Sequence, residues 1–269
     1  MSKICLSIAG LDPSGGAGVI ADVKTFSAFG CFATSAITSV TFQNTTGVFG
    51  SVHQTADSVR QQVQPVIDDL GIDALKTGML PTADIIEEVA RLVRENNLLS
   101  FVVDPVVRST SGFDLIDNTA LRSLIKELFP LAIVITPNIP EAERVSGVAI
   151  ESERDISDAA SVMRDLGAKN ILIKGGHLDS ENPKTATHKA VDHLFVGGDL
   201  YKIEGDWHDT AATHGTGCVL SAAITANLAI GKPLLEAVRT AKAFVNGAIR
   251  TAPSLGHGHS PINIKPWQE

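Results

Sequence analysis

A chain of 269 residues is long for one average domain yet within the range of one large α/β domain, and its 44% hydrophobic content supplies ample core. A formal net charge of -8 and a pI near 5.5 argue against a general nucleic-acid binder and leave room only for a local basic pocket for phosphates. Cys5, Cys31 and Cys218 are widely spaced with no Cys-x-x-Cys pair, which suits a reducing compartment and neither a disulfide framework nor a zinc site. The start, Met1-Ser2-Lys3-Ile4-Cys5, lacks a signal-peptide layout, and the apolar run around 218–230 is too short and interrupted to span a bilayer. The expectation is a soluble cytoplasmic protein.

In chain order, 3–9 (KICLSIA) reads as a buried strand ending in Gly10-Leu11-Asp12-Pro13-Ser14-Gly15-Gly16-Ala17-Gly18. Val19, Ile20, Val23, Phe26 and Phe29 then fall at helical spacing up to a stop at Gly30. Residues 31–40 give a second strand, 41–47 (TFQNTTG) a polar loop, and 48–53 a short strand. A helix over 55–70 should kink or restart at Pro65. A short strand at 73–76 ends in Lys76-Thr77-Gly78-Met79-Leu80, and 82–96 is a strongly periodic helix. A strand at 100–103 ends at Asp104-Pro105; a helix at 121–128 and a strand at 132–135 lead to Thr136-Pro137-Asn138.

Helices over 139–145 and 155–166 follow, then a strand at 171–174 that stops at Gly175-Gly176-His177. Residues 188–195 and 200–204 form a hairpin around Gly197-Gly198-Asp199. A helix after Gly217, another over 234–250, and an irregular tail rich in Pro, Gly and His complete the chain. Alternating strands and helices imply an α/β fold, a mainly parallel sheet covered on both faces, in one domain over 1–269. Asp12, Lys76, Asp104, Asn138 and Lys174 recur just beyond strand carboxyl ends, the edge where open α/β sheets bind ligands.

Taken singly, these candidates each keep two readings. The loop 10–18 lacks the ending of a P-loop and the spacing of a dinucleotide fingerprint, so it is a ligand loop or a tight turn. Asn138-Ile139-Pro140-Glu141 is either a capped helix start or the source of a Glu that orders the hydration shell of Mg²⁺, with Asp104 serving the same ion. Lys174 is a phosphate-binding point charge or a solvated strand end. His257-Gly258-His259 is too close-set for a metal site. Gly215-Thr216-Gly217-Cys218 is either a buried structural cysteine in a small-residue helix or an anion cradle of unpaired amides at a helix start, beside a thiol whose pKa such a position should lower.

Joined, the pattern resembles the hydroxymethylpyrimidine/phosphomethylpyrimidine kinases of thiamine biosynthesis, a branch of the ribokinase-like fold. The loop 10–18 with Ala21-Asp22-Val23-Lys24-Thr25-Phe26 is similar to that family's opening signature. Gln43-Asn44-Thr45, Lys76-Thr77-Gly78-Met79-Leu80, Asp104-Pro105-Val106, Thr136-Pro137-Asn138 with Glu141, Lys174-Gly175-Gly176-His177, 214–218 and Gly256-His257-Gly258-His259-Ser260-Pro261 follow in the family's order. The resemblance implies a three-layer α/β/α homodimer that uses ATP and Mg²⁺ to phosphorylate 4-amino-5-hydroxymethyl-2-methylpyrimidine and then its monophosphate. It implies that Gln43 bonds the pyrimidine, that Gly10, Asp12, Ala17 and Met79 shape its pocket, and that Asp104 and Glu141 organise Mg²⁺. It assigns the nucleotide to Lys174, Asn138 and Thr216, the moving phosphoryl group to the amides of Gly215, Thr216 and Gly217, and the substrate proton to Cys218.

Two departures stand out: Ser109-Thr110-Ser111-Gly112 after Arg108 where the family often has Ala-Lys-Ser-Gly, and Ala212-Thr213 where it commonly has Asn-Thr. Residues 41–47 and 108–114 are the places to look for a lid. A pyridoxal kinase of the same branch is the nearest rival, followed by a non-catalytic sensor and a nicotinamide-dependent oxidoreductase.

Overall fold

The computed structural model describes residues 2–107, 115–175 and 189–267. Its frame is one nine-stranded sheet in the order β3-β2-β1-β4-β5-β6-β7-β8-β9, where β1 is Ile4–Leu11, β2 Phe32–Asn44, β3 Gly47–His53, β4 Ala74–Thr77, β5 Phe101–Val103, β6 Val134–Ile135, β7 Asn170–Ile173, β8 Lys189–Val196 and β9 Asp199–Asp206. From β2 to β7 neighbouring strands run parallel; β3 at one end and β8 and β9 at the other are antiparallel.

Helices cover both faces, because the strands are apolar on both. Phe101 and Val103 turn to one side with Ile171 and Ile173, against α2 (Ala56–Leu70), α3 (Ala83–Glu95), α4 (Asn118–Ser123), α5 (Ile139–Ser146) and α6 (Glu153–Asp165). Val102 and Leu172 turn to the other, against α1 (Gly18–Ala28), α7 (Thr216–Ala229) and α8 (Leu234–Arg250). This period of two is the signature of fully buried strands, and it yields the expected α/β/α layering.

Local chemistry sets the element ends. Thr82 and Asp117 accept the amides of Ile85 and Ala120 and so start α3 and α4. Ser152 with Asp155 makes a reciprocal capping box at the start of α6. Two expectations need correction. Residues 41–44 are not loop: β2 runs through them to Asn44, paired with β3, leaving only Thr45 and Thr46 as the turn. Their polar side chains suit an edge hairpin, where one face meets solvent. Pro65 does not restart α2, which runs unbroken from Ala56 to Leu70. It is exposed, so the Gln61 carbonyl deprived of a partner, on an equally exposed residue, can turn to water.

Elsewhere the differences are small. The helix expected at 121–128 begins at Asn118 and ends in a π-type turn over Leu124–Leu128. The hairpin at Gly197-Gly198 forms as expected, but His188 lies outside the described residues, as do His177, Arg108, Thr110 and the second lid candidate at 108–114. Among the described residues no helix is long and apolar enough to cross a membrane.

Candidate active site

The two glycine-rich segments, some two hundred residues apart, meet at the carboxyl edge of the sheet. At the first, β1 runs out into a loop folded on the Asp12 carboxylate. That group is buried and accepts the Ser14 and Ala17 amides at 2.8 and 2.9 Å, the Ser14 hydroxyl at 2.9 Å and His214 Nε2 at 2.7 Å. Burial alone would raise its pKa, but the bonds from His214 and Ser14 hold it below the usual carboxylate range. Gly18 closes the loop at φ +57°, where a Cβ would fall 2.2 Å from the Gly10 carbonyl oxygen.

Beside this loop opens a cleft whose lining includes Gly10, Asp12, Ala17, Gln43 and Met79, all five residues predicted for the substrate. Gln43 reaches it from strand β2, not from a loop. Thr45, His214 and His259 are also on its lining.

At the second segment Gly215 adopts φ +82° and precedes α7, whose first residue is Thr216. No side chain caps this helix; the Thr216 amide turns back to the Thr213 carbonyl at 3.3 Å, and the amides that follow it in the first turn can meet an anion. Cys218 sits where the starts of α7 and α1 converge, and the Gly18 amide donates toward its sulfur. The expected lowering of its pKa is overturned. Burial pushes the thiol up to about 11; the Lys76 ammonium and the Gly18 amide work the other way but do not prevail.

The third component is a charge cluster. Lys174 Nζ lies 3.1 Å from Asp104 Oδ1 and 3.9 Å from Glu141 Oε2. Asp104 also accepts Thr136 Oγ1 at 3.2 Å and, from α7, Ser221 Oγ at 3.1 Å. Burial opposes its charge, yet Lys174 and Lys76 hold its pKa low; the same burial pushes Glu141 up to about 7, against the pull of Lys174 and with the push of Asp104. Asn138 and Glu141 form a capping box for α5, at 2.8 Å in both directions, and Glu141 Oε1 also meets the Val107 amide at 3.4 Å. Asn138 therefore spends its side chain on the helix start and is on the lining of neither cavity.

Two carboxylates drawn to one ammonium suit a cation that keeps most of its waters, as Mg²⁺ does. No group of three or more His, Cys, Asp or Glu that could hold a metal directly occurs among the described residues. Lys174, Thr216 and Gly217 face a second cavity, bounded also by Trp207, His208 and Lys242.

Sequence reasoning left three participants without a role. Lys76 is fully buried and bonds Asp22 Oδ1 at 2.9 Å, while Ser7 Oγ bonds Asp22 Oδ2 at 2.6 Å. Burial works against the Lys76 charge, but Asp22, Cys218 and Asp104 outweigh it and raise its pKa. Its position at a strand end was the available signal. His214 and Ser221 gave none beyond their places beside the glycine turn.

Three known proteins bear on this geometry. The model of the family described as phosphomethylpyrimidine kinase matches residues 12–263. The hydroxymethylpyrimidine/phosphomethylpyrimidine kinase of Staphylococcus aureus is 42% identical over 262 residues, covering 97% of this chain and 93% of its own. The crystal structure of the phosphomethylpyrimidine kinase from Clostridium difficile is 40% identical with a TM-score of 0.79, over 92% of this chain and 100% of that one. The pyridoxal kinase from Staphylococcus aureus in complex with ADP has a higher TM-score, 0.89, at a lower identity, 34%, over 99% and 94% of the two chains. The backbone is thus shared across both activities, and residue identity leans toward the pyrimidine enzymes.

Proposed function

The chain belongs to the phosphomethylpyrimidine kinase family, and from that premise we propose that it transfers the terminal phosphoryl group of ATP to the hydroxymethyl oxygen of 4-amino-5-hydroxymethyl-2-methylpyrimidine, and a second one to the monophosphate so formed, in thiamine biosynthesis. One observation carries this reading. The turn 213–217 is a wall shared by both cavities, with His214 on the first and Thr213, Thr216 and Gly217 on the second. A phosphoryl group held at its amides would lie between an alcohol on one side and a nucleotide on the other, the alignment that phosphoryl transfer requires.

In this reading Gln43 bonds the pyrimidine, and Gly10, Asp12, Ala17 and Met79 shape its pocket. The amides of Gly215, Thr216 and Gly217 hold the charge that develops on the moving group. Lys174 and Thr216 meet the nucleotide phosphates, and Asn138 contributes by fixing Glu141. Asp104 and Glu141 would hold Mg²⁺ through its waters; when bound, the ion neutralises phosphate charge. Cys218 takes the hydroxymethyl proton as the new O–P bond forms. Burial holds its thiol above the usual range, so thiolate is scarce at neutral pH and turnover climbs toward alkaline pH.

We read the enzyme further as a single-domain cytoplasmic homodimer. Three free cysteines fit a reducing compartment, and the exposed Phe42, Phe49 and Val52 of the β2–β3 hairpin offer apolar surface for a second copy.

A substrate panel tests the proposal. The pyrimidine alcohol should yield mono- and then diphosphate, with kcat rising from pH 7 to 9. Cys218→Ala should lose both that rise and about 10²–10⁴-fold in kcat. Turnover of pyridoxal or pyridoxine alone would hand the site to the activity named for the neighbour with TM-score 0.89. A pH profile identical in the two chains would remove Cys218 as proton acceptor.

A further inference from the structure

Asp12 lines the substrate cleft, yet its carboxylate is spent inside the protein. Oδ1 accepts the Ser14 amide, while Oδ2 accepts the Ser14 hydroxyl, the Ala17 amide and His214 Nε2. An ionised carboxylate only accepts, so Nε2 of His214 carries the hydrogen. Both residues are buried, at 1% and 8% exposure, and a charge-assisted bond of 2.7 Å shielded from water is among the stronger ones a protein makes.

Around this bond the two backbones touch. A Cβ on Gly215 would fall 1.9 Å from the Gly16 carbonyl oxygen, and one on Gly16 would fall 2.4 Å from His214 Cδ2. From the far side the chain's closing segment seals the contact: the His214 amide donates to Ser260 O, and a Cβ on Gly16 would also come within 3.0 Å of Pro261 Cβ. The loop that walls the substrate cleft and the turn that starts α7 are thus fastened by one side-chain bond and one close backbone approach.

We propose that Asp12 and His214 form a joint that fixes the separation between the substrate half-site and the phosphoryl cradle, which makes His214 a positioning residue for the transfer. The inference rests on the reading of the two cavities given above. Each half-site keeps its own binding groups without the joint: Gln43 and Met79 on one side, Lys174 and the α7 amides on the other. What the joint supplies is their relative placement, and a displacement of about 1 Å costs on the order of 10²-fold in rate.

His214→Ala should therefore lower kcat about 100-fold while the KM for the alcohol, the KM for ATP and the affinity for ADP each stay within threefold. His214→Gln, whose amide nitrogen can still reach Asp12, should recover most of the loss. Gly16→Ala, which keeps both partners but wedges them apart, should show the same split between kcat and KM. Hydrogen exchange provides a readout that needs no substrate: in His214→Ala the Ala17 amide should lose protection together with the amides of 216–219. Unchanged exchange at Ala17, or KM values that climb as kcat falls, would overturn the joint. A wild-type chain that turned over no vitamin alcohol would count against the proposed function instead, and exchange at Ala17 would still decide the joint.

Discussion

Two lysines stand on the same edge of the sheet, each against a buried aspartate, and they are not doing the same thing. Lys76 Nζ is 2.9 Å from Asp22, with both side chains fully enclosed. Lys174 Nζ is 3.1 Å from Asp104, but its side chain is 16% exposed and borders the second cavity. Lys76 can act only through its field, which reaches Cys218; Lys174 can act through contact with whatever enters. A buried ion pair is weak evidence for either stability or catalysis. What the cation faces is the informative part.

The sharpest way to break this contrast is to remove each aspartate's or lysine's partner and ask which property fails. Asp22→Ala strands an ammonium that has no route to water, so the fold should lose about 3–5 kcal/mol, measured by urea unfolding. A loss under 1 kcal/mol would mean that Lys76 is not charged in the folded chain. Lys174→Met strands Asp104, but that carboxylate keeps Ser221 and Thr136 as donors, so the stability loss should be smaller than for Asp22→Ala. Its main effect should be kinetic, about 10²–10³-fold in kcat/KM for ATP. If Lys174→Met unfolds the chain as readily as Asp22→Ala and leaves ATP kinetics intact, the two lysines are alike after all.

The contrast also marks how far the sequence could be read. Val102 between Phe101 and Val103 and Leu172 between Ile171 and Ile173 announce strands buried on both faces, and the layers follow from them. The five cleft residues are named by the family resemblance alone, and the parallel sheet explains why their motifs meet at one edge. Three things were hidden. Residues 41–44 look like a loop because an edge hairpin tolerates polar side chains, yet Gln43 lines the cleft from strand β2. The Cys218 thiol was expected to be acidified because its helix start is visible in the sequence, whereas the burial that outweighs the helix start is tertiary. Lys76 drew attention as a strand end, but lysine is almost never fully enclosed, and nothing local says that Asp22 will meet it.

Glu141 belongs to the Lys174 side of the contrast, and it carries the smallest of these effects. Burial pushes its carboxyl from an ordinary 4.5 up to about 7, with Lys174 opposing and Asp104 adding to the rise. Between those two values the folded chain keeps a proton that the unfolded chain has released, so stability is fully present below pH 4.5 and declines as pH rises toward 7. The upper bound is about 3 kcal/mol, at 1.36 kcal/mol per unit, and sharing of the Lys174 charge with Asp104 brings it lower. Glu141→Gln cannot titrate, and its side-chain oxygen can still accept the Asn138 amide. The variant should therefore melt closer to the wild type at pH 5 than at pH 7.5, where it gains on it. A constant difference in Tm across that range would show that Glu141 does not titrate there. The sealed Lys76–Asp22 pair would then be no different, in its response to pH, from the open pair beside the cavity.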